Sequence, residues 1–286
     1  MTATVALRRE IDAALEQHGI GAQRLVPISP IKERSGGRAA YRVDADDGRR
    51  VKLRYLGSPE DARRLRELRA GLEPAFVPVL ACYGAILIEE WIEGSLLAEA
   101  DAEAWAEEAG ALLGRLHATP LGGEAPVRRS TRTWIKTAES DLGILADEGR
   151  LSREEAVLLR AELGRRDPGL ARSAVIHRDF CAENMLIDEL GRLRVIDNEW
   201  VMIGPAEFDL GRTYHRWPMS EGAWRRFCRG YASVGDPPES LEFWILAAAL
   251  FGARVFHQLD PSRLDPLLVL LRGFVDGEGL SNAAVR

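Results

Sequence analysis

Apolar residues follow two different periods along the chain, and the change divides it into a strand-rich part and a helix-rich part. Short runs with period two predict strands at 24–31, 40–44, 50–56, 77–83 and 85–92. Apolar residues at helical spacing predict helices at 4–18, 58–72, 101–119, 134–146, 152–163, 221–232, 240–258 and 265–274. The pattern therefore predicts an α+β protein with β structure concentrated towards the N-terminus. Residues 119–131 and 201–208 are predicted to be irregular, since Gly and Pro interrupt both.

One stretch inside the helical part has strand character again, and polar residues follow its strands. Val175 and Ile176 precede the polar sequence His-Arg-Asp, and Met185–Ile187 and Leu193–Ile196 are two further apolar runs. The sequence Asp-Glu-Leu-Gly at 188–191 predicts a tight turn between the last two runs. This arrangement places three oxygen-bearing side chains, Asp179, Asn184 and Asp197, next to strand ends.

The spacing of these polar residues is typical of phosphoryl transfer. Asn184 and Asp197 offer the oxygen ligands that Mg²⁺ prefers. Asp179 then remains to orient an attacking hydroxyl and to accept its proton. His177, Arg178, Asp179 and Asn184 match the His-Arg-Asp-x-x-x-x-Asn pattern of phosphotransferases, and Asp197 is the later Asp that holds the metal. We therefore expect Asp179 to be catalytic and the other two residues to bind magnesium.

The same stretch resembles the aminoglycoside phosphotransferase and choline kinase family. Its members have His-Gly-Asp-x-x-x-x-Asn, then Ile-Asp-x-Glu and Asp-Leu; here Ile196–Glu199 and Asp209–Leu210 match the last two motifs. The chain departs from the family at Arg178, where Gly is usual, and at Cys181-Ala182-Glu183, where His-Pro-Gly is common. The resemblance implies a protein-kinase-like two-lobed fold, with a small antiparallel β lobe at 1–93 and a larger, mainly helical lobe at 94–286. It also implies that Asp209 supports the catalytic loop.

The strand-rich part contains candidates for nucleotide binding. Gly36 and Gly37 precede the second predicted strand, where backbone N–H groups can approach phosphate oxygens. Lys52 and Arg54 lie on one face of the third strand. The resemblance favours Arg54 as the phosphate contact, with Lys52 as the alternative, and implies that a Glu of the following helix pairs with that cation. Glu67 is the better placed candidate for this pairing, and Glu60 is the other.

The sequence Glu89-Glu90-Trp91, followed by Gly94, is similar to the family's hinge between the two lobes. In such a hinge, backbone groups of Glu89, Glu90 and Trp91 lie beside the adenine of ATP. The expected cofactors are thus ATP and Mg²⁺, with GTP as a possible substitute for ATP.

Composition limits the function classes. The 286 residues have a net charge of −6, which does not favour nucleic acid or an anionic membrane as a partner. The three cysteines, Cys82, Cys181 and Cys228, form no metal or disulfide spacing, and no apolar run spans a membrane; we expect a cytoplasmic protein. Cys181 is interpreted as a small filler of the catalytic loop rather than a reactive thiol. No pattern assigns an oligomeric state.

The expected acceptor is the hydroxyl of a small molecule that is aminoglycoside-, choline- or sugar-like, which would include an antibiotic-resistance role. No dense acidic patch favours a polycationic aminoglycoside. The aromatic group Tyr214, His215, Trp217, Trp224 and Trp244 is interpreted as core in preference to a pocket for a cation. Two alternatives remain at this stage: a nucleotide-binding pseudokinase with a regulatory role, and a glycan or protein kinase, which only Arg178 suggests.

Overall fold

The computed structural model describes residues 5–28, 38–72, 74–120, 128–238 and 240–276; Gly36 and Gly37 lie outside them. In chain order the helices are α1 (Val5–Gln17), α2 (Pro59–Arg69), α3 (Ala106–Ala118), α4 (Arg132–Asp147), α5 (Arg153–Arg166), α6 (Ala206–Arg216), α7 (Glu221–Ala232), α8 (Glu242–Leu259) and α9 (Asp265–Val275). The strands are β1 (Ala22–Pro27), β2 (Ala39–Ala45), β3 (Arg50–Tyr55), β4 (Val79–Tyr83), β5 (Ile86–Glu90), β6 (Gly94–Leu96), β7 (Arg128–Ser130), β8 (Leu170–Ile176), β9 (Met185–Asp188), β10 (Leu193–Val195) and β11 (Met202–Pro205).

The chain divides into two compact units. The first comprises Met1–Ser95 and Leu186–Val201, and the second comprises Leu96–Met185 and Met202–Arg286. The boundary expected from the sequence lies after residue 93, and the sequence did not indicate that 186–201 joins the first unit.

The first unit is built on an antiparallel sheet with strand order β1-β2-β3-β5-β4. Helix α1 covers one face, where Ile11 and Leu15 are buried with Leu53 and Ile88 of the sheet. Because side chains alternate along a strand, Lys52 and Arg54 of β3 lie on the opposite face. The sheet therefore has one apolar face and one face that carries charge.

Helix α2 follows β3 and begins as its sequence predicts. The Ser58 hydroxyl accepts a hydrogen bond from the Asp61 backbone N–H (3.1 Å), and Pro59 occupies the first turn. Ala62, Leu65 and Arg69 form the buried side of this helix. Its inward face thus ends in a buried arginine.

A second, three-stranded sheet has the order β10-β9-β6. The turn that joins β9 to β10 is the one predicted from the sequence: Asp188 Oδ1 accepts the N–H groups of Leu190 and Arg192, and Gly191 has φ of 71°. Backbone hydrogen bonds between Val195 and the segment 75–77 attach this hairpin to the first unit. The residues that follow β10, including Asp197, are thereby fixed.

The second unit consists of the sheet β11-β8-β7 and helices α3 to α9. Helices α3 and α7 approach so closely at Gly110 and Gly230 that a Cβ at either position would lie 1.9 Å from a backbone carbonyl oxygen of the other helix. Helix α8 is almost wholly buried from Phe243 to Leu250 and packs against α4, α6 and α9. Trp217, Trp224 and Trp244 are 5%, 4% and 1% exposed, which confirms the core interpretation for these three aromatics.

The structure corrects two predictions of irregular structure. Residues 201–208 contain β11, which pairs antiparallel with β8, and the start of α6. Residues 128–130 form β7 on the other edge of β8. Both strands are short and flanked by Gly or Pro, so their regular backbone depends on pairing with β8 rather than on a local pattern. In the described part of the chain, none of the helices combines the length and apolar character needed to cross a bilayer.

Candidate functional site

A buried guanidinium organises the charged face of the first unit. Arg54 is 0% exposed and contacts three carboxylates: Nε lies 3.4 Å from Glu89 Oε2, Nη2 lies 3.0 Å from Asp197 Oδ1, and Nη1 pairs with Glu199. Burial lowers the pKa of Arg54, but the attraction of the three carboxylates outweighs burial and raises it. Arg54 therefore remains charged and fixes the orientation of Asp197.

Glu89 connects this arginine to helix α2. Its carboxylate pairs with Arg54 and with Arg69, and Arg69 also donates to the Val77 carbonyl. Burial raises the pKa of Glu89, yet the two arginines outweigh that effect and lower it to about 2. The hinge residue Glu89 thus has a buried side-chain role that the sequence did not indicate.

The expected pairing of Glu67 with the strand cation is corrected. Glu67 is exposed on α2, and Glu89 of the neighbouring strand β5 takes its place beside Arg54. Glu67 follows the buried Leu65 by two residues, about 200° around a helix, so it lies on the opposite face. Helix α2 contributes a cation, Arg69, to the cluster instead of an acid.

Lys52 occupies a more open position than Arg54. Its Nζ lies 3.8 Å from Asp197 Oδ1, and the two side chains are 16% and 25% exposed. Asp197 itself has φ of 60°, which directs the chain into the 3₁₀ turn Asn198–Trp200. Of the two basic side chains of β3, Lys52 is therefore the one with accessible atoms beside Asp197.

Of the residues expected at the hinge, Glu89 and Glu90 end β5 and Trp91 directly follows it. The backbone N–H of Glu90 donates to the Pro78 carbonyl (3.2 Å), so this group is already used within the sheet. The Trp91 indole Nε1 is buried without a hydrogen-bond partner among the residues that the structure describes, and the Arg42 guanidinium lies 5.7 Å from the ring centroid.

In the second unit, Asp209 holds the loop that follows β8. Its two oxygens accept the backbone N–H groups of His177 (2.5 Å) and Arg178 (2.6 Å). His117 Nε2 contacts the same carboxylate at 3.2 Å, and His117 Nδ1 lies 2.9 Å from the Tyr231 hydroxyl. The expected supporting role of Asp209 is confirmed.

Two arginines hold the carboxylate of Asp179. Arg212 Nη2 and Arg216 Nε lie 2.8 and 3.0 Å from Oδ1. Burial raises the pKa of Asp179, but these two guanidinium groups outweigh burial and hold it well below its usual range. Neither arginine belongs to a motif recognised in the sequence, although Asp209, Arg212 and Arg216 recur at helical spacing on one side of α6.

Asn184 joins the same loop to Asp179. Its side-chain nitrogen donates to the Asp179 carbonyl (2.8 Å) and to Asp179 Oδ2 (3.1 Å). Because both bonds use the amide nitrogen, the amide oxygen is the atom that can accept a cation. The amide oxygen of Asn184 and the carboxylate of Asp197 are hard ligands of the kind that fit Mg²⁺.

Cys181 is fully buried, and burial raises the pKa of its thiol to about 12. A thiol with so high a pKa is a poor nucleophile, which supports the interpretation as a small filler. All three cysteines are free thiols.

Solved structures with the same fold come from several kinases of small molecules. Choline kinase LicA from Streptococcus pneumoniae has a TM-score of 0.68 and 14% identity, over 95% of this chain and 99% of that one. Macrolide 2'-phosphotransferase MphH from Brachybacterium faecium has a TM-score of 0.61 and 17% identity, over 94% and 98%. A mutant aminoglycoside phosphotransferase APH(4)-Ia, in a ternary complex with AMP-PNP and hygromycin B, has a TM-score of 0.62 and 18% identity, over 93% and 96%.

The chain shares the kinase-like fold of these structures, which confirms the predicted α+β fold. A family model described as the phosphotransferase enzyme family matches residues 29–244, so the chain belongs to that family. The family assignment places it among phosphotransferase enzymes. No curated protein sequence matches the chain.

Proposed function

We propose that this protein transfers the γ-phosphoryl group of ATP to a hydroxyl group of a small molecule. The observation on which the proposal depends is the environment of Asp179: the loop is anchored by Asp209, and the carboxylate is held ionised by Arg212 and Arg216. The side chain is nonetheless 23% exposed, so a hydroxyl can reach it.

In the proposed reaction, Asp179 accepts a hydrogen bond from the acceptor hydroxyl and takes its proton. The acceptor oxygen forms a bond to the γ-phosphorus, the bond from that phosphorus to the bridging oxygen breaks, and ADP leaves with the electron pair. Because the transition state is loose, little basicity is needed, and positioning supplies most of the rate. A carboxylate with a lowered pKa is suited to such a role.

Asn184 and Asp197 are the proposed ligands of Mg²⁺, which would neutralise charge on the phosphates when bound. Lys52 is the proposed phosphate contact, since Arg54 is enclosed by three carboxylates and Lys52 retains exposed atoms beside Asp197. Glu90 and Trp91 remain proposed neighbours of the base, with Gly36 and Gly37 proposed beside the phosphates.

The substitution Asp179→Asn tests the proposal. It removes the proton acceptor while keeping the hydrogen bond from Asn184, so we expect phosphoryl transfer to fall by roughly 10³-fold with nucleotide binding retained. Transfer is measured from ATP·Mg²⁺ to a panel of antibiotics, sugars and amino alcohols, and nucleotide binding by calorimetric titration. The exposed Asp147→Asn is the matched control. Nucleotide binding without Asp179-dependent transfer to any acceptor would identify a pseudokinase instead.

A further inference from the structure

Three guanidinium groups surround one aromatic ring beside the catalytic loop. The Cζ atoms of Arg178 and Arg212 lie 5.1 Å from the centroid of Phe251, and that of Arg254 lies 5.3 Å away. The three residues come from the catalytic loop, α6 and α8, and all belong to the second unit. We call Arg178, Arg212 and Arg254 the arginine cluster.

The arginine cluster contacts the carboxylate of Asp179 through Arg212. This residue is 6% exposed, and two of its nitrogens contact Asp179 Oδ1. Its third nitrogen, Nη1, is buried and has no hydrogen-bond partner among the described residues. A buried donor of a charged group that is left unpaired is costly, and an acceptor atom from a ligand would satisfy it.

Three acids lie near the cluster, Asp141, Asp179 and Asp209, and the last two also bond side chains outside it. Asp141 of α4 contacts Arg254 Nε through one oxygen (2.5 Å), and Asp179 is shared between Arg212 and Arg216. Burial, together with repulsion from Arg212 and Arg254, lowers the pKa of Arg178 although Asp209 and Asp179 oppose this shift. The three guanidinium groups therefore lie close enough to repel one another, and an added anion would relieve that repulsion.

The backbone of Arg178 has a conformation that costs an arginine more free energy than a glycine. Arg178 has φ of 69°, a left-handed conformation that favours glycine, and the hydrogen bond from its N–H to Asp209 holds it there. This geometry explains why related sequences have Gly in the same motif.

We propose that the arginine cluster binds an anionic group, a carboxylate or a phosphate, on the acceptor whose hydroxyl is phosphorylated. The substrate class is thus a hydroxy acid or a phosphorylated alcohol, and amino alcohols and polyamines are disfavoured by repulsion from the cluster. The inference rests on the proposed function, because it concerns the acceptor of the same reaction. Charged, forked donors are the groups that recognise carboxylate and phosphate best.

Direct binding is the first test, and it needs no turnover. The full chain, free of nucleotide and metal, is titrated with inorganic phosphate and with malonate by calorimetry. We expect binding that weakens tenfold or more in Arg178→Gly and in Arg254→Gln and is unchanged in Arg225→Gln, an exposed arginine of α7. Arg178→Gly suits its left-handed backbone, so a melting temperature equal to or above that of the parent verifies that lost binding is not lost folding.

Acceptor choice is the second test. Gluconate, sorbitol and 1-amino-1-deoxysorbitol differ at C1 only, as carboxylate, alcohol and ammonium, and sorbitol 1-phosphate provides the phosphate form at the same carbon. We expect kcat/KM to be at least tenfold higher for an anionic member than for sorbitol, with the ammonium compound lowest, and Arg178→Gly to remove that preference through KM.

Parent protein that binds neither anion, or a preference that survives in Arg178→Gly, overturns the inference. Failure of the proposed function is a different result: no Asp179-dependent transfer to any acceptor of any charge, whether or not anions bind.

Discussion

The two units bond the aspartates of the motif in different ways. In the first unit one guanidinium, Arg54, is shared by three carboxylates, one of which is Asp197. In the second unit one carboxylate, Asp179, is shared by two guanidinium groups. Asp197 also lies near Lys52, so each of the two aspartates has two cationic neighbours. The difference is that Arg54 is divided among three carboxylates, whereas Arg212 directs two of its nitrogens to Asp179. Two aspartates that the sequence motif presents as similar therefore differ in how much of an arginine each one holds.

The largest expected effect comes from removing the shared cation of the first unit. Arg54→Met leaves the buried Glu89 and Glu199 without their common partner, so we expect a loss of about 3–5 kcal/mol of unfolding free energy. Hydrogen exchange of the β3 and β5 amides reports on this unit directly. Arg49→Met, whose pair with Asp47 is exposed, is the control and should change stability by less than about 0.5 kcal/mol. Equal effects of the two substitutions would show that the Arg54 cluster is not structural.

The second-largest expected effect is a loss of stability of the first unit at low pH. The pKa of Glu89 is lowered from 4.5 to about 2, so its contribution is fully present above pH 4.5 and is lost as pH falls towards 2. The size of this contribution is on the order of 3 kcal/mol. Protection of the β5 amides is measured between pH 5 and pH 2, and Glu89→Gln should flatten the dependence. Glu93→Gln, at an exposed position, should leave it intact.

Lys52→Met is expected to impair the use of ATP while leaving the stability of the protein nearly unchanged. Lys52 is partly exposed beside Asp197, so its loss should lower kcat/KM for ATP by roughly 10–100-fold with little change in stability, the reverse of the Arg54 result. Steady-state kinetics with varied ATP, alongside thermal melting, measure both quantities. Lys136→Met, an exposed lysine of α4, serves for comparison. Unaltered ATP kinetics would assign the phosphate contact elsewhere.

The smallest expected effect comes from a substitution in the second unit. Arg216→Gln removes one of the two cations that lower the pKa of Asp179, so that pKa should rise towards its usual range. Since Asp179 must be ionised to accept a proton, the acid limb of the pH–rate profile should move to higher pH, with kcat/KM down by about tenfold. Arg225→Gln should leave the profile in place, and a profile unmoved by Arg216→Gln would refute the pairing.

Local pattern was sufficient for the elements and for the motif. Helix α7 was predicted with its exact bounds, 221–232, and the Ser58 cap and the turn at 188–191 were predicted from residue type and spacing alone. Residues 201–208 were not predicted correctly, because β11 is a strand only through its pairing with β8. Asp209 was recognised as a support for the loop because it lies within the motif that the resemblance covers.

Such local patterns did not predict which charged residues pair when they lie far apart in the sequence. Arg54 bonds Asp197 and Glu199 across 143 and 145 residues, and it pairs with Glu89 of β5 in place of the expected Glu67 of α2. Periodicity tells which face a side chain occupies, but the charge that meets it depends on which distant segment packs there. Residue order therefore defined the chemistry that Asp179, Asn184 and Asp197 are able to perform. Packing defined how ionised, how exposed and how closely held each of these groups is, because burial and neighbouring charge exist only in the folded chain.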